Sequence, residues 1–147
     1  MSTIEIPAIE FPKWKRWADR ERPSQDFDVP VGFGLLGIYM LATSDVDGES
    51  SLEPDNYLNQ AVIYIGMSEH VEQRLERSHD AVTAYKKQTG DLAASDLRFT
   101  IWHSSAAKGQ YEQKGPVVSA ATIAVYERVL LLKYAEKYGR LPRFNSL

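Results

Sequence analysis

The chain contains no cysteine. Disulfides, thiolate metal sites and cysteine nucleophiles are therefore excluded, and the composition suits a reducing compartment. Long apolar runs are also lacking, the longest being far too short to span a bilayer. The N-terminus shows no basic-then-apolar signal pattern, so a cytoplasmic location is the expectation. There is no internal repeat and no low-complexity segment. Positive charge is missing from one whole stretch: between Pro23 and Gln73 there is no Lys or Arg, against nine Asp and Glu residues.

What is present is the composition of an ordinary globule, 44% hydrophobic and 25% charged. A chain of 147 residues is long enough for one domain burying roughly two-thirds of its unfolded surface. From Arg74 onward, twelve basic residues stand against seven acidic ones. The net charge of −3 thus hides a basic C-terminal half. A polyanionic partner would meet that half, and scattered solvated charge is the alternative.

Residues 1–30 are punctuated by Pro7, Pro12, Pro23 and Pro30 and read as an N-terminal arm packed on a domain of residues 31–147. Pro12 is placed to begin a short helix with Trp14 and Trp17 on one side. The interleaved PKWKRW stretch suits stacking on nucleic acid or a structural arm. Gly34 to Leu41 reads as a strand, Thr43 to Asn59 as an acidic loop, and Ala61 to Gly66 as a second, antiparallel strand. Ser68 can cap a helix running to about Gln88 and ended by Gly90, with Val71, Leu75, His79, Val82 and Tyr85 or Lys86 on one side. Leu97 to His103 alternates as a strand with Leu97, Phe99 and Ile101 on one face. After a polar loop from Ser104 to Gly115, Ser119 can cap a helix from Ala120 to Tyr138, with Gly139 after its end and Pro142 beyond. The order is β-β-α-β-α. The expected fold is α+β, a small, mostly antiparallel three-stranded sheet flanked by helices.

Three polar residues escape this local account. Glu127 falls among Ile123, Tyr126, Leu130, Leu131, Tyr134 and Tyr138, the apolar face of the last helix. A carboxylate there is costly unless it sits at the edge, pairs with an arginine, or meets a metal or a wet cleft. Tyr39 and Tyr64 lie in strands beside Gly37 and Gly66, where they either pack or carry out chemistry.

Taken together, these positions resemble the GIY-YIG nuclease superfamily. Gly37-Ile38-Tyr39 repeats the first signature triplet, and Tyr64-Ile65-Gly66 the second. Arg74 stands where the family keeps an arginine on its first helix. Glu127 lies on the later helix, where the family has its metal-binding glutamate. Pro142-Arg143-Phe144-Asn145 is similar to the closing Pro-x-x-Asn. The likeness runs from about Gly34 to Asn145. The chain departs from the pattern in three places. Ser78 occupies the position where members often carry His or Tyr, with His79 next to it. Met67 replaces a residue that is often Lys. The loop between the triplets is longer than usual.

The resemblance implies a DNA endonuclease that hydrolyses a phosphodiester with water and one divalent cation, Mg²⁺ or Mn²⁺. It implies that Glu127 holds the metal, Arg74 grips the scissile phosphate, and Tyr39 or Tyr64 takes the proton of the attacking water. Asn145 would fix the local geometry. His79 would substitute for the displaced family histidine or serve only as a helix residue. Arg74, Arg77, Lys86, Lys87, Arg128, Lys133, Arg140 and Arg143 are the candidates for the DNA backbone. Repair, restriction, and mobile-element or phage biology are the settings it suggests. The competing expectation is a non-catalytic module of the same fold that binds nucleic acid or another protein. No separate DNA-specificity domain is visible, and the sequence leaves the oligomeric state open.

Overall fold

The computed structural model describes residues 9, 11–20, 36–48, 58–76, 78–90, 96–103 and 116–146. All of the Ser104 to Gly115 loop, positions 49–57 of the expected acidic loop, the start of the first expected strand at Gly34, and Arg77 lie outside the described residues.

The chain folds as α+β, with β1 (Lys15–Arg16), β2 (Gly37–Thr43), β3 (Val62–Ser68), α1 (Val71–Glu76), α2 (Asp80–Thr89), β4 (Leu97–His103) and α3 (Pro116–Tyr138). The strands form one antiparallel sheet in the order β1-β4-β2-β3. Among the described residues there are four strands rather than the three expected. The extra one is contributed by the arm, where Lys15 and Arg16 pair with Phe99 and Arg98. Two charged residues carry no alternation, so nothing in their pattern announces a strand.

The arm also corrects the reading of Pro12 as a helix start. The chain there is extended before a 3-10 turn at Trp17–Asp19. Side chains alternate sides in extended chain, so residues three apart face opposite ways. Trp14 accordingly packs on the core against α3, and Trp17 on the core against α1 and α2.

The sheet separates these two cores. On one side Ile38, Met40, Ala42, Val62, Ile65 and Trp102 meet Ile123, Tyr126, Leu130, Leu131 and Tyr134 of α3. On the other, Tyr39, Leu41, Leu97, Phe99 and Ile101 meet Val71, Leu75, Ala81, Val82 and Tyr85. The alternation seen in β4 and the 3.6-residue periodicity of α3 describe these faces correctly. Pro116 stands at the first helical position of α3, where its fixed φ and missing N–H cost nothing. The helix therefore starts a turn before the expected Ala120, and Ser119 lies inside it. Gly139 ends it at φ 72° with its N–H bonded to the Ala135 carbonyl.

The helix expected from Ser68 to Gln88 is two helices. His79 is extended (φ −115°, ψ 137°), and its Nδ1 accepts the Ala81 N–H at 3.0 Å, capping α2. The apolar spacing continues across the break: Val71, Leu75, His79, Val82 and Tyr85 are all buried. Periodicity alone could not reveal the interruption. Ser68 ends β3, and its hydroxyl accepts the His70 N–H in a turn rather than capping a long helix.

β3 is an edge strand, and an edge presents unpaired backbone groups. Here they are occupied. Phe144 N–H donates to the Ile63 carbonyl, and the Asn145 side chain pairs both ways with Ile65, accepting its N–H at 2.9 Å and donating to its carbonyl at 2.8 Å. The entry to β3 is held from α3, where Tyr134 donates to the Gln60 and Val62 carbonyls, and Lys137 and Tyr138 to that of Leu58. Replacing Asn145 leaves two β3 groups unmade. We expect Asn145→Ala to lose about 1–3 kcal/mol in urea unfolding; an unchanged midpoint would show that this clamp contributes nothing.

Candidate active site

The pairing of β2 with β3 sets Tyr39 opposite Gly66 and Leu41 opposite Tyr64. The register then shifts, with Ala42 opposite Val62, so Ile63 is the extra residue of a bulge. Both phenols therefore project to the α1/α2 side of the sheet. Their rings stack with centroids 5.9 Å apart and planes 29° apart. A Cβ on Gly66 would lie 2.6 Å from Tyr64 Cε1 and 2.7 Å from Tyr39 Oη. The glycine of the second triplet thus makes room for the two tyrosines themselves.

The break between α1 and α2 brings in the third ring. His79 is 1% exposed and meets both tyrosines edge-on, at 5.5 and 4.9 Å. Its Nε2 lies 2.8 Å from Tyr39 Oη. Arg74, half-buried on α1, lines a cavity of about 360 Å³ together with Tyr64, His79, Asp80, Phe144 and Asn145.

Charges follow from this burial. Desolvation, then Arg74, hold His79 down to about 4, with Asp80 opposing, so the ring is neutral near pH 7. Desolvation pushes the Tyr39 phenol far above the ordinary tyrosine value; Tyr64 adds to this, and Arg74 opposes it without overcoming it. An arginine nearby favours the phenolate form of a tyrosine. At Tyr39, burial outweighs it.

Glu127 reaches the site from the opposite core. It does not line the cavity. It stands by the end of β3, where its carboxylate accepts the Met67 N–H and lies 3.8 Å from Arg128 Nε. Burial raises its pKa, while Arg128 and the Met67 N–H oppose the rise. Its charge is still felt at Tyr39. Among the described residues no group of three His, Cys, Asp or Glu could hold a metal ion. The donor set therefore fits a hard cation only as a single-carboxylate anchor completed by water and phosphate oxygens.

The structure thus brings Tyr39, Tyr64, Arg74, His79 and Asn145 together and sets Glu127 beside them across the sheet. The remaining basic candidates lie apart from the cavity lining. Lys86, Lys87, Arg128, Lys133, Arg140 and Arg143 are exposed, and Arg77 lies outside the described residues. Arg143 donates to Gln88 and its guanidinium sits 5.3 Å from the Phe144 ring centre. Asp80 and Phe144 were not singled out from the sequence. Asp80 had no signal without knowledge of the helix break, whereas Phe144 sat inside the Pro-x-x-Asn stretch. Comparison with protein-family models, curated proteins and solved structures finds no match to this chain.

Two outcomes follow from the geometry. Gly66→Ala must force the tyrosine rings apart; we expect a loss of about 1–3 kcal/mol and an altered near-UV tyrosine signal, and an unchanged spectrum would contradict the packing. His79 has a folded pKa below its unfolded value, so the unfolded chain takes the proton first. Its stabilisation is complete above about pH 6.5 and is lost as pH falls toward about 4. Urea unfolding should show up to about 3 kcal/mol of this dependence between those limits, and His79→Asn, which keeps a capping side chain, should flatten it.

Proposed function

We propose that the chain is a divalent-metal-dependent DNA endonuclease with a GIY-YIG-like fold. The observation that supports this most is the register of β2 against β3. It sets the two triplets side by side, so that Tyr39 and Tyr64 meet His79, with Arg74 and Tyr64 on one cavity. Four separate positions of the sequence are thereby brought to one place.

In this reading Arg74 holds the scissile phosphate by forked, charge-assisted hydrogen bonds. Among the described residues no carboxylate forms an ion pair with it. The tyrosine pair takes the proton of the attacking water. Asn145 keeps β3, and with it Tyr64, in register against the C-terminal segment. Glu127 would hold Mg²⁺ or Mn²⁺, which would supply charge neutralisation at the phosphate. Protonation competes with that role, because burial already favours the neutral carboxyl.

A second reading is supported by the same Glu127. Its carboxylate is engaged with a backbone N–H and stands outside the cavity lining, as befits a non-catalytic module that binds nucleic acid or protein. The assay that separates the two uses supercoiled, branched and single-stranded DNA, with Mg²⁺ or Mn²⁺ and with chelator. We expect cleavage only with metal, and rates lower by about 10²–10³ in Arg74→Ala and Glu127→Ala. No cleavage of any substrate, or cleavage by both variants as fast as by the unmodified chain, leaves only the binding module.

A further inference from the structure

The PKWKRW stretch of the arm has no part in the site described so far. Its extended backbone sorts the residues by side. Trp14 packs on one core and Trp17 on the other, so both rings are engaged in packing rather than in stacking on bases. The cations between them remain at the surface. Lys15 stands opposite Phe99 in the β1–β4 register and so projects to the α1/α2 side of the sheet. There it lines a cavity of about 340 Å³ with Arg16, Asp19, Arg20 and Phe99. The lining holds three cations and a single carboxylate.

Arg20 is the fixed member. Its Nε donates to the Leu75 carbonyl at 2.8 Å and its Nη1 to the Trp17 carbonyl at 2.9 Å, and the guanidinium lies 3.7 Å from the Trp17 ring centre. Two carbonyl dipoles and a π-face orient the group without neutralising it. Partial burial lowers its pKa from the ordinary arginine value, yet an arginine stays charged in a protein. Arg16 is the adjustable member. It meets Asp19 at 3.3 Å, and both side chains are more than half exposed. An exposed pair of this kind is weak, so an incoming phosphate can take the place of the carboxylate. The helix α1 joins this cavity to the proposed active site. Leu75 accepts from Arg20, and the residue before it is Arg74, which lines the other cavity.

We infer that the arm cavity is a second phosphate site, in which Lys15, Arg16 and Arg20 hold a phosphodiester of the same nucleic acid whose scissile phosphate Arg74 holds. It rests on the nucleic-acid ligand proposed above, not on cleavage. Its contacts go to the backbone alone, so the site adds affinity and register without reading sequence. A polyanion then meets the chain on both sides of its acidic stretch, at the arm as well as after Arg74.

The test is made in chelator, where metal-dependent cleavage cannot intervene. Binding of a fluorescently labelled oligonucleotide, single-stranded and duplex, is followed by anisotropy over a range of salt. The full chain is compared with the double variant Lys15→Gln, Arg16→Gln and with Asp19→Asn. In parallel, ¹H–¹⁵N spectra of the unmodified chain are recorded as unlabelled oligonucleotide is added. The double variant should bind several-fold more weakly whatever the sequence, with a log–log salt slope shallower by about 2. Asp19→Asn should bind more tightly. The Arg20 Nε–H signal and the backbone amides of Lys15 and Arg16 should move as DNA is added. Arm signals that stay still while others move, or a double variant that keeps the full salt slope, overturn the site and leave cations that only blunt a sheet edge. An unmodified chain that binds no DNA overturns it as well. If the double variant loses the urea midpoint of the unmodified chain, the spectra decide alone. The nuclease reading stands or falls separately, on metal-dependent cleavage by the unmodified chain.

Discussion

Tyr39 occupies the space that a side chain at position 66 would need. This cross-strand arrangement constrains everything around it. With Gly66 opposite Tyr39 and Tyr64 opposite Leu41, the two phenols can stack on one face of the sheet, and the bulge after Leu41 turns Val62 to the other face. The pair then presents a polar edge inside an otherwise apolar core, and buried hydroxyls need partners. His79 supplies one. It can do so because the helix stops at that position, and it stops because the same ring serves as the cap of the next helix. Cap, helix break and tyrosine partner are a single imidazole seen from three sides. A ring so engaged from both nitrogens has little freedom to flip, which is the kind of preorganisation that reacting groups require.

The electrostatic character of the chain is divided in a related way. The acidic half of the sequence supplies both signature strands, and the basic half begins at Arg74. The cavity lies at this join. It carries one arginine and one exposed aspartate, so its own field is not strongly positive. Long-range attraction of a polyanion would come from the exposed cations of α2, α3 and the segment after α3. These lie outside the cavity and act by steering rather than by contact.

Much of this was legible in the sequence, where a regular period met a packed face. β4 alternates because Leu97, Phe99 and Ile101 fill one core while the polar Arg98 and Thr100 lie on the other face of the strand. α3 shows its stripe because one side of it covers the sheet. Glu127 was singled out correctly as an anomaly, and its resolution is local: the carboxylate reaches a β3 backbone N–H that the sheet leaves unpaired. Illegible features were those in which spacing is ambiguous. Trp14 and Trp17, three apart, suit one side of a helix and opposite sides of a strand equally well, and tertiary pairing with β4 chose the strand. The interruption at His79 was hidden because the buried positions continue through it in step. The occupant of the space at Gly66 was not legible, since a missing side chain announces space but not what fills it. The triplets showed which tyrosines to watch, yet their unequal exposure depends on a cavity wall built from residues far along the chain.

That wall has a kinetic meaning. Asn145 and Ile65 are separated by 80 positions, so the clamp on β3 is among the most non-local contacts of the fold. Local contacts form early and non-local ones late, because loop closure must precede them. The β2–β3 hairpin, with both triplets and their stacked rings, can assemble soon after it is synthesised. The cavity cannot, for Phe144 and Asn145 do not yet exist. A chain still growing would carry its phenols before it had a pocket to use them in, and the order of synthesis would itself withhold the finished site until nearly all of the domain had emerged.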